Sequence, residues 1–340
     1  MIPYPLAIPS PMAAQLAMRP GALILRHLRS AGLDFTPVDE LSQAAGIPRS
    51  DVLRELGELE SAGFELEHPP GTGCRLLRRP AALIAEDIEA SLGQGPIEWR
   101  VQVFRETAST NDIVDDAGRA GAAEGLAAFA ESQTRGRGRL GRRWESRPGR
   151  GIWFSALLRP RWRASEAGRL TAVAAVAVAE SIAALTELPT TIKWPNDVWV
   201  NGRKLAGILT ELRCTGDGID YAVVGIGINA HHQPNDFPPK LRATATSIAM
   251  ENGQSPHRAD IAAAVLDRLA ECCHGPFGPI RERWISRCFT LGRTVELSGG
   301  SAPLRGVAES IDAGGALIVR DGSGRLRTIH DGDVIHGVES

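Results

Sequence analysis

A short stretch in which arginines alternate with glycines is the part of this sequence best suited to chemistry. This Arg/Gly loop reads Arg135-Gly136-Arg137-Gly138-Arg139-Leu140-Gly141-Arg142-Arg143-Trp144. Glycine opens backbone conformations that other residues avoid, so the segment is a pliant backbone that carries guanidinium groups. The whole chain of 340 residues has a formal net charge of only −2, so this positive charge is local and predicts a site for a polyanion. A solvated basic loop is the alternative, which the glycine alternation disfavours.

Two common phosphate-binding motifs do not explain the loop. Its glycines formally match the dinucleotide-binding fingerprint Gly-x-Gly-x-x-Gly, but that motif requires a helix to begin at the loop. Glu145-Ser146-Arg147-Pro148-Gly149 follows instead. The chain also lacks the Gly-Lys-Ser/Thr of a Walker loop. We therefore expect neither a Rossmann site nor a P-loop.

A second segment, residues 193–209, contains a predicted hairpin. Asn201-Gly202 is the strongest short-range signal for a two-residue turn, and such a turn fixes the register of its strands. The expected pairs are Val200 with Arg203, Trp199 with Lys204, and Asp197 with Ala206. Side chains repeat every two residues, so Asp197, Trp199, Lys204 and Ala206 should share one face beside Gly207. An exposed ion pair worth about 0–1 kcal/mol is the alternative, although Pro195 predicts an edge or bulge, where active-site groups often lie.

Two further segments allow two interpretations each. Ser109-Thr110-Asn111-Asp112 has the Ser-x-x-Asp spacing of a helix capping box, and capping alone would explain it without a binding role. Residues 224–229 form a predicted strand with Gly225 and Gly227 at alternate positions. Small residues on a strand indicate the close approach of another backbone or of a ligand, and the sequence favours neither.

The patterns that flank these segments divide the chain into three predicted domains. Residues 1–80 show a helix that starts at Thr36-Pro37 and stops at Gly46, and a second helix from about residue 49 to 63 with Val52, Leu56 and Leu59 on one face. A hairpin predicted over residues 64–77 completes a winged helix-turn-helix. After a linker at Arg78-Arg79-Pro80, residues 82–288 predict a large α/β body and residues 289–340 a small β-barrel.

Composition excludes several classes of protein. Five cysteines are scattered without a Cys-x-x-Cys pair, so neither a disulfide framework nor a zinc site is expected. Four prolines interrupt the first eleven residues, so no secretion signal is expected. The longest apolar run, residues 170–179, is far shorter than the ~20 residues of a membrane helix and predicts a buried helix. We therefore expect a cytoplasmic protein without a membrane partner.

The order and spacing of these segments resemble those of biotin–protein ligases, in particular the bacterial bifunctional ligase/repressors, nearly end to end. The resemblance is carried by Ser109-Thr110-Asn111, residues 133–144, residues 193–209, residues 225–229 and Ala245-Thr246-Ser247. It implies an α+β multidomain fold. The expected domains are an N-terminal winged helix-turn-helix, a central mixed-sheet α/β ligase domain resembling class II aminoacyl-tRNA synthetases, and a C-terminal small SH3-like β-barrel.

The resemblance also implies an activity. Such a ligase activates biotin with ATP and Mg²⁺ to biotinyl-5′-adenylate, and then passes biotin to a lysine of the biotin carboxyl carrier protein of acetyl-CoA carboxylase. The first step brings two anions together, so cations must neutralise them, and Arg137, Arg139 and Lys204 are our candidates. The residues expected to hold biotin and the adenylate are Ser109, Thr110, Asn111, Gln133, Gly136, Arg137, Gly138, Arg139, Trp144, Lys193, Asn196, Lys204, Gly207, Gly225, Gly227 and Asn229. No residue is assigned to a metal.

Asp197 is the fourth catalytic candidate. The acceptor lysine must lose a proton, but a carboxylate beside Lys204 is a weak base, so we expect Asp197 to orient or to assist electrostatically. We expect the Arg/Gly loop to be loosely ordered when empty and to close over the adenylate, because closure would keep water from a hydrolysable intermediate.

A repressor would also bind operator DNA through its second helix and wing. The candidates are Arg49, Ser50 and Arg54 of the helix and Arg75 of the wing. The same helix carries Asp51, Glu55, Glu58 and Glu60, so a structural or regulatory role is the alternative. By resemblance we expect a homodimer when adenylate is bound. The competing functions are a lipoate–protein ligase, a mainly regulatory biotin-sensing DNA-binding protein and an Arg/Gly nucleic-acid binder.

Overall fold

The N-terminal unit consists of three helices and a hairpin. The computed structural model describes residues 18–298, 304–330 and 332–336; residues 1–17, on which the expectation about secretion rests, lie outside them. The helices are α1 (Pro20–Ala31), α2 (Val38–Ala45) and α3 (Arg49–Ser61), and the antiparallel hairpin is β1 (Glu65–Glu67) with β2 (Arg75–Arg78). Val52, Leu56 and Leu59 of α3 are buried together in the core of this unit, as their helical spacing predicts.

The start of α2 differs from the prediction. Val38 is its first residue, and Pro37 rather than Thr36 stands at the N-cap. Thr36 instead exchanges two backbone hydrogen bonds of 2.8 Å with Cys74, beside β2. The predicted cap at Thr36 is wrong because this bridge holds the hairpin against the helices.

The predicted linker is fastened to the body of the molecule. Arg79 donates to Asp87 of α4 (Ala85–Ser91) at 2.9 Å and to Asp260 of α8 (Arg258–His274) at 2.8 Å. Arg29 of α1 donates to the same Asp260 at 2.9 Å. Ala90 of α4 is buried in the N-terminal core. These contacts hold the N-terminal unit on the body, so the segment does not act as a loose connection.

A seven-stranded mixed sheet forms the centre of the molecule. Its strands are β3 (Arg100–Thr107), β4 (Leu126–Gln133), β5 (Gly151–Leu158), β6 (Thr190–Lys193), β7 (Asp197–Val200), β8 (Arg203–Thr215) and β9 (Gly218–Asn229). Their order across the sheet is β3-β4-β5-β9-β8-β7-β6. The β3–β4 pair is parallel and the other pairs are antiparallel. The prediction of a mixed α/β body is confirmed.

The two faces of this sheet are covered differently. The face that includes Phe154 and Ile226 shares a hydrophobic core with α6 (Gly168–Thr186) and α8, and α9 (Phe277–Arg287) packs against α6. The short helix α5 (Thr110–Arg119) packs on the opposite face and covers only one end of it. The rest of that face is left for the site.

Helix α6 contains the apolar run that predicted a buried helix. Residues 164–186 are long and apolar enough to cross a membrane by length and composition alone. Residues 172–179 are nevertheless buried inside the protein, against the sheet and α8. The prediction of a core helix is confirmed.

The C-terminal unit is a small antiparallel sheet. Its strands are β10 (Thr294–Ser298), β11 (Leu304–Ile311), β12 (Leu317–Asp321), β13 (Leu326–Ile329) and β14 (Asp333–His336), in the order β13-β12-β11-β10-β14. Val295, Ala308 and Leu317 belong to the same buried core as α6 and α8. The predicted small β domain is therefore present, and it rests on the central body.

Candidate active site

The first turn of α5 is capped by a side chain from a neighbouring strand. Gln133, at the end of β4, accepts a hydrogen bond from the backbone N–H of Thr110 at 2.8 Å and one from its hydroxyl at 3.2 Å. Ser109 is the N-cap residue, but its side chain makes no capping hydrogen bond. The predicted capping box is therefore wrong, because Gln133 fills the role expected of Ser109 and Asp112 pairs with Arg137.

Three glycines on the open face of the sheet make room for two side chains. A Cβ at Gly225 would collide with Asn111 Oδ1. A Cβ at Gly227 would lie 2.6 Å from Cε2 of Trp144, and one at Gly207 would lie 2.7 Å from its Cζ3. From the sequence, the close approach of another backbone and the close approach of a ligand explained the alternating glycines equally well. The structure shows that they admit Asn111 and Trp144, which then line the site.

The Asn201-Gly202 turn forms as predicted, with one difference in register. Val200 faces Arg203 and Trp199 faces Lys204, but Asp197 faces Gly207 rather than Ala206. A shift between Val198 and Trp199 moves Ala206 opposite Val198, where both side chains are buried. The predicted place of Ala206 on the site face is therefore wrong, and Gly207 occupies it.

Asp197 and Lys204 form the expected ion pair. Lys204 Nζ lies 2.7 Å from Asp197 Oδ1 and 5.3 Å from the ring centroid of Trp144. Asp197 Oδ1 is buried and makes no directed hydrogen bond to the residues that the structure describes, so we treat the contact as ionic. The backbone of Lys204 donates to Thr244 at 2.8 Å and accepts from Thr246 at 2.9 Å. These bonds pair Lys204 with residues 244–247, the Ala245 loop, which precedes the short helix α7 (Ile248–Asn252), and they fix the point from which Lys204 enters the site.

The Arg/Gly loop folds into a small hairpin. The N–H of Gly138 donates to the carbonyl of Arg142 at 2.7 Å, and that of Trp144 donates to the carbonyl of Gly136 at 3.0 Å. Leu140 at the tip is exposed and has a φ of 55°. No helix begins within residues 142–150, so the rejection of a dinucleotide fingerprint is confirmed.

The side chains of the loop connect it to three other elements. Arg139 donates to Asn196 Oδ1 at 3.1 Å and to the carbonyl of Gly332, next to β14, at 3.2 Å. Arg137 donates to Asp112 at 2.5 Å and to Glu211 at 3.2 Å. Burial opposes the charge of Arg137, but the hydrogen bond to Asp112 and the charge of Glu211 raise its pKa above the ordinary value.

These elements surround a cavity of about 630 Å³. Of the residues that the sequence assigned to ligand binding or catalysis, all except Gly136 line this cavity. Gly136 instead makes room for the loop backbone, because a Cβ there would lie 2.6 Å from the carbonyl oxygen of Trp144. Lining residues that the sequence did not suggest include Arg142, Phe154, His232, Phe237 and Val334. Residues 230–238 carry no motif, and only their position after Asn229 could have indicated them.

One wall of the cavity is aromatic. The ring of His232 stacks on Phe237 at a centroid distance of 4.9 Å and meets Trp153 edge-on at 5.7 Å. Burial lowers the pKa of His232 to about 4, with Asp236 opposing the shift. The ring is therefore uncharged near neutral pH, and the wall suits a flat, uncharged heterocycle.

A second group of lining residues is cationic. Lys193 lies 4.8 Å from the ring centroid of Trp199 and lines the cavity with Lys204 and Arg139. Burial lowers the pKa of Lys193, Asp197 opposes this shift, and Lys204 adds to it. Such fixed, partly desolvated cations can neutralise negative charge that forms between two reacting anions.

The residues assigned to DNA contact lie on the N-terminal unit, away from this cavity. Arg49, Ser50 and Arg54 are exposed on α3, while Arg75 on β2 is half-buried. Each arginine has an acidic partner: Arg49 with Asp39 at 3.1 Å, Arg54 with Glu58 at 2.7 Å and Arg75 with Glu67 at 2.6 Å. Of the acidic residues that the sequence placed on this helix, Glu55 and Glu58 contact Arg54, whereas Asp39 and Glu67, the partners of Arg49 and Arg75, were not predicted.

Comparison with known proteins agrees with this geometry. Residues 103–229 match the Biotin/lipoate A/B protein ligase family, and residues 290–337 match the Biotin protein ligase C terminal domain. The structure of the biotin protein ligase from Aquifex aeolicus in complex with biotin and ATP superposes with a TM-score of 0.60 at 29% identity, over 70% of this chain and 98% of that one.

Two relatives match over long stretches. The bifunctional ligase/repressor BirA of Bacillus subtilis (strain 168) is 33% identical over 315 residues, which are 92% of this chain and 97% of that protein. The biotin–[acetyl-CoA-carboxylase] ligase of Paracoccus denitrificans is 36% identical over 58% of this chain and 85% of that protein. Because a relative covered over 97% of its length is 33% identical, and both family models match, this chain belongs to the biotin protein ligase family of enzymes.

Proposed function

We propose that this protein activates biotin with ATP to biotinyl-5′-adenylate and transfers the biotinyl group to a lysine of a biotin carboxyl carrier protein. The observation that carries this proposal is one cavity that joins an uncharged polar end, at Thr110 and Gln133, to the cationic wall of Lys193 and Lys204. Neutral donors and acceptors suit the ureido group of biotin, and the cations suit its carboxylate and the α-phosphate. The aromatic wall at His232 suits adenine.

In the first step, a carboxylate oxygen of biotin attacks the α-phosphorus of ATP. The new O–P bond forms as the bond from the α-phosphorus to the bridging oxygen breaks, and pyrophosphate leaves. We infer that Lys204 neutralises these anions where they meet, since its backbone is held by Thr244 and Thr246 and its side chain lines the cavity.

In the second step, the neutral amine of the acceptor lysine attacks the acyl carbon and AMP leaves. Asp197 lines the cavity with 19% of its side chain exposed, while its buried Oδ1 contacts Lys204, so its carboxylate can accept an N–H from the incoming amine. Because Asp197 is already paired with the ammonium of Lys204, we assign it to orienting the amine, whose proton leaves to water or to the phosphate of AMP.

Magnesium fits best as part of the nucleotide substrate. Within residues 18–298, 304–330 and 332–336, no group of three or more His, Cys, Asp or Glu side chains could hold a metal ion. Mg²⁺ commonly keeps several waters and binds through substrate phosphates. We therefore infer that it enters with ATP.

The test is incubation of the protein with biotin, ATP, Mg²⁺ and a biotin carboxyl carrier domain. A mass increase on one lysine of the carrier and biotin-dependent release of pyrophosphate are expected. Lipoate in place of biotin separates the competing ligase activity. Failure to modify the carrier, with pyrophosphate release driven by lipoate alone, would reject biotin as the substrate.

The second function that we propose is transcriptional repression. We assign it to residues 1–80 as a winged helix-turn-helix domain. We assign residues 82–288 to the ligase domain and residues 289–340 to an SH3-like barrel. The full-length similarity to a protein named as a ligase/repressor favours it. Binding through these three arginines and Ser50 would require Arg49, Arg54 and Arg75 to exchange their acidic partners for phosphates, which makes affinity weak and sensitive to salt. Footprinting of DNA upstream of biotin-synthesis genes, with and without biotin and ATP, tests this function; no protection at low salt would reject it.

We further propose a homodimer in the adenylate-bound state and a cytoplasmic location, where ATP and a carrier protein are available. The sheet ends at β3, where a second copy could add, whereas the edge strand β6 is already bridged to Cys288 through Ile192. Sedimentation with and without biotin and ATP is the measurement, and an unchanged monomer in both would reject the dimer.

A further inference from the structure

We propose that Asp112 and Glu211 clasp Arg137 and so hold the Arg/Gly loop closed, which makes Arg137 a positioning residue for the retention of adenylate. The inference rests on the proposed function for the identity of what is retained. Arg137 reaches Asp112 Oδ1 at 2.5 Å and Glu211 Oε2 at 3.2 Å. Asp112 lies on α5 and Glu211 on β8, so one guanidinium ties the loop to two elements that belong to the fixed framework.

The charge at this point favours anchoring over phosphate binding. Two carboxylates surround one guanidinium, so the cluster of Asp112, Glu211 and Arg137 has a net negative charge when all three are ionised. A phosphate that approached Arg137 would also meet both carboxylates. Lys193 and Lys204 line the cavity beside Asp197 instead, and Lys204 lies near the start of β8, whereas Glu211 lies further along that strand. The anionic end of the ligand is therefore expected on that side.

The receiving carboxylate is held in place before the loop reaches it. Asn111 donates to Glu211 Oε2 at 2.7 Å, and its own Oδ1 accepts from the hydroxyl of Ser155 at 2.6 Å. Ser155 is fully buried in β5, and Gly225 leaves the space that Asn111 needs. A chain of hydrogen bonds thus orients Glu211 from the interior of the sheet.

Fixing Arg137 also fixes the rest of the loop. The backbone hydrogen bonds of the loop hairpin pair Gly138 with Arg142 and Gly136 with Trp144. Trp144 therefore keeps its position over Gly207 and Gly227, 5.3 Å from Lys204 Nζ. Arg137 is 38% exposed and Glu211 42% exposed, so each ion pair is weak and screened by salt. The clasp can then open for ligand exchange.

The test begins with the empty protein and trypsin, since the loop carries several cleavage sites. Asp112→Asn and Glu211→Gln are each expected to speed cleavage within residues 135–150 by roughly two- to fivefold, the range that a weak ion pair gives. Asp115→Asn is the matched control, because Asp115 lies on the same helix and pairs with Arg213 at 3.0 Å, away from the loop. Trypsin should cleave the Asp115→Asn variant within residues 135–150 at the wild-type rate.

A second measurement follows dissociation of preformed biotinyl-5′-adenylate. Both clasp variants should release it faster, and the charge exchange Asp112→Arg with Arg137→Asp should recover part of the retention. Arg137→Lys, which keeps one ion pair, should release the adenylate about as fast as Asp112→Asn, which also keeps one. Slower release in Asp112→Asn would show that the carboxylates compete with the ligand for Arg137 and would overturn the clasp, as would unchanged cleavage of the empty loop. The trypsin measurement needs no ligand, so it stands even if the proposed ligase reaction fails.

Discussion

The contact between Gly227 and Trp144 gives a prediction that can be worked from distances. A Cβ at Gly227 would lie 2.6 Å from Cε2 of Trp144, whereas ordinary contacts begin at 3.4 Å, so Gly227→Ala forces a separation of roughly 0.8 Å. The strand cannot yield easily, because Gly227 is paired with Trp153 on one side and Gly207 on the other. The indole must therefore withdraw and carry the Arg/Gly loop with it.

The expected cost is about 1–3 kcal/mol, the usual range for an added methyl group in a filled space. If this free-energy cost destabilises only the closed form of the loop, adenylate is bound roughly 5- to 150-fold more weakly. Gly218→Ala is the matched control, since it lies on the same strand and its Cβ would meet Thr215 O at an ordinary 3.7 Å. The assay is the dissociation rate of biotinyl-5′-adenylate, with urea unfolding to measure stability. Wild-type dissociation in Gly227→Ala, at unchanged stability, would refute the role given to Trp144.

Three further predictions concern the walls of the cavity. Lys204→Met should slow biotin-dependent pyrophosphate release by roughly 10²–10³-fold, as removal of one fixed electrostatic donor does, and a rate near wild type would exclude Lys204 from the first step. Asp197→Asn should slow transfer from preformed adenylate at least tenfold, as loss of an orienting contact does, while equal transfer rates would remove Asp197 from the second step. Burial holds the pKa of His232 at about 4, below its ordinary value of 6.5. Below pH 6.5 the imidazole of His232 is protonated in the unfolded chain, whereas in the folded chain it stays neutral until about pH 4. The free energy of unfolding therefore falls as the pH drops from 6.5 to 4, by roughly 3 kcal/mol over the whole window. Urea unfolding of His232→Gln between pH 7 and 4 should lose most of this slope, and an unchanged slope would contradict the buried neutral ring.

Much of the site could be predicted because its signals are local. The Asn201-Gly202 turn fixes the first two pairs of the hairpin, Val200 with Arg203 and Trp199 with Lys204. The same hairpin brings Asp197 next to Lys204. The glycines at alternate positions within residues 224–229 likewise predicted that another backbone or a ligand comes close to this strand. These inferences need only the period of a strand and the preference of a turn.

The errors arise where a distant segment competes with a local preference. The Ala245 loop pairs with the backbone of Lys204, at the place where the β7–β8 register shifts and Ala206 turns inward. Gln133, far from Ser109 in sequence, caps α5 because β3 and β4 bring the end of one strand to the start of the helix. Local spacing cannot show such partners, since they depend on which strands become neighbours.

The same distinction explains why residue type alone did not separate the roles of the arginines. In sequence, Arg137 and Arg139 are equivalent members of one alternating pattern. In the fold, the first meets the carboxylates of Asp112 and Glu211, whereas the second meets the amide oxygen of Asn196 and a carbonyl of the C-terminal domain. A guanidinium already neutralised by two carboxylates contributes little attraction to an incoming phosphate, because the net charge of its surroundings is negative. We therefore propose that Arg137 anchors the loop, while Arg139, which lines the cavity, links it to the C-terminal domain through Gly332.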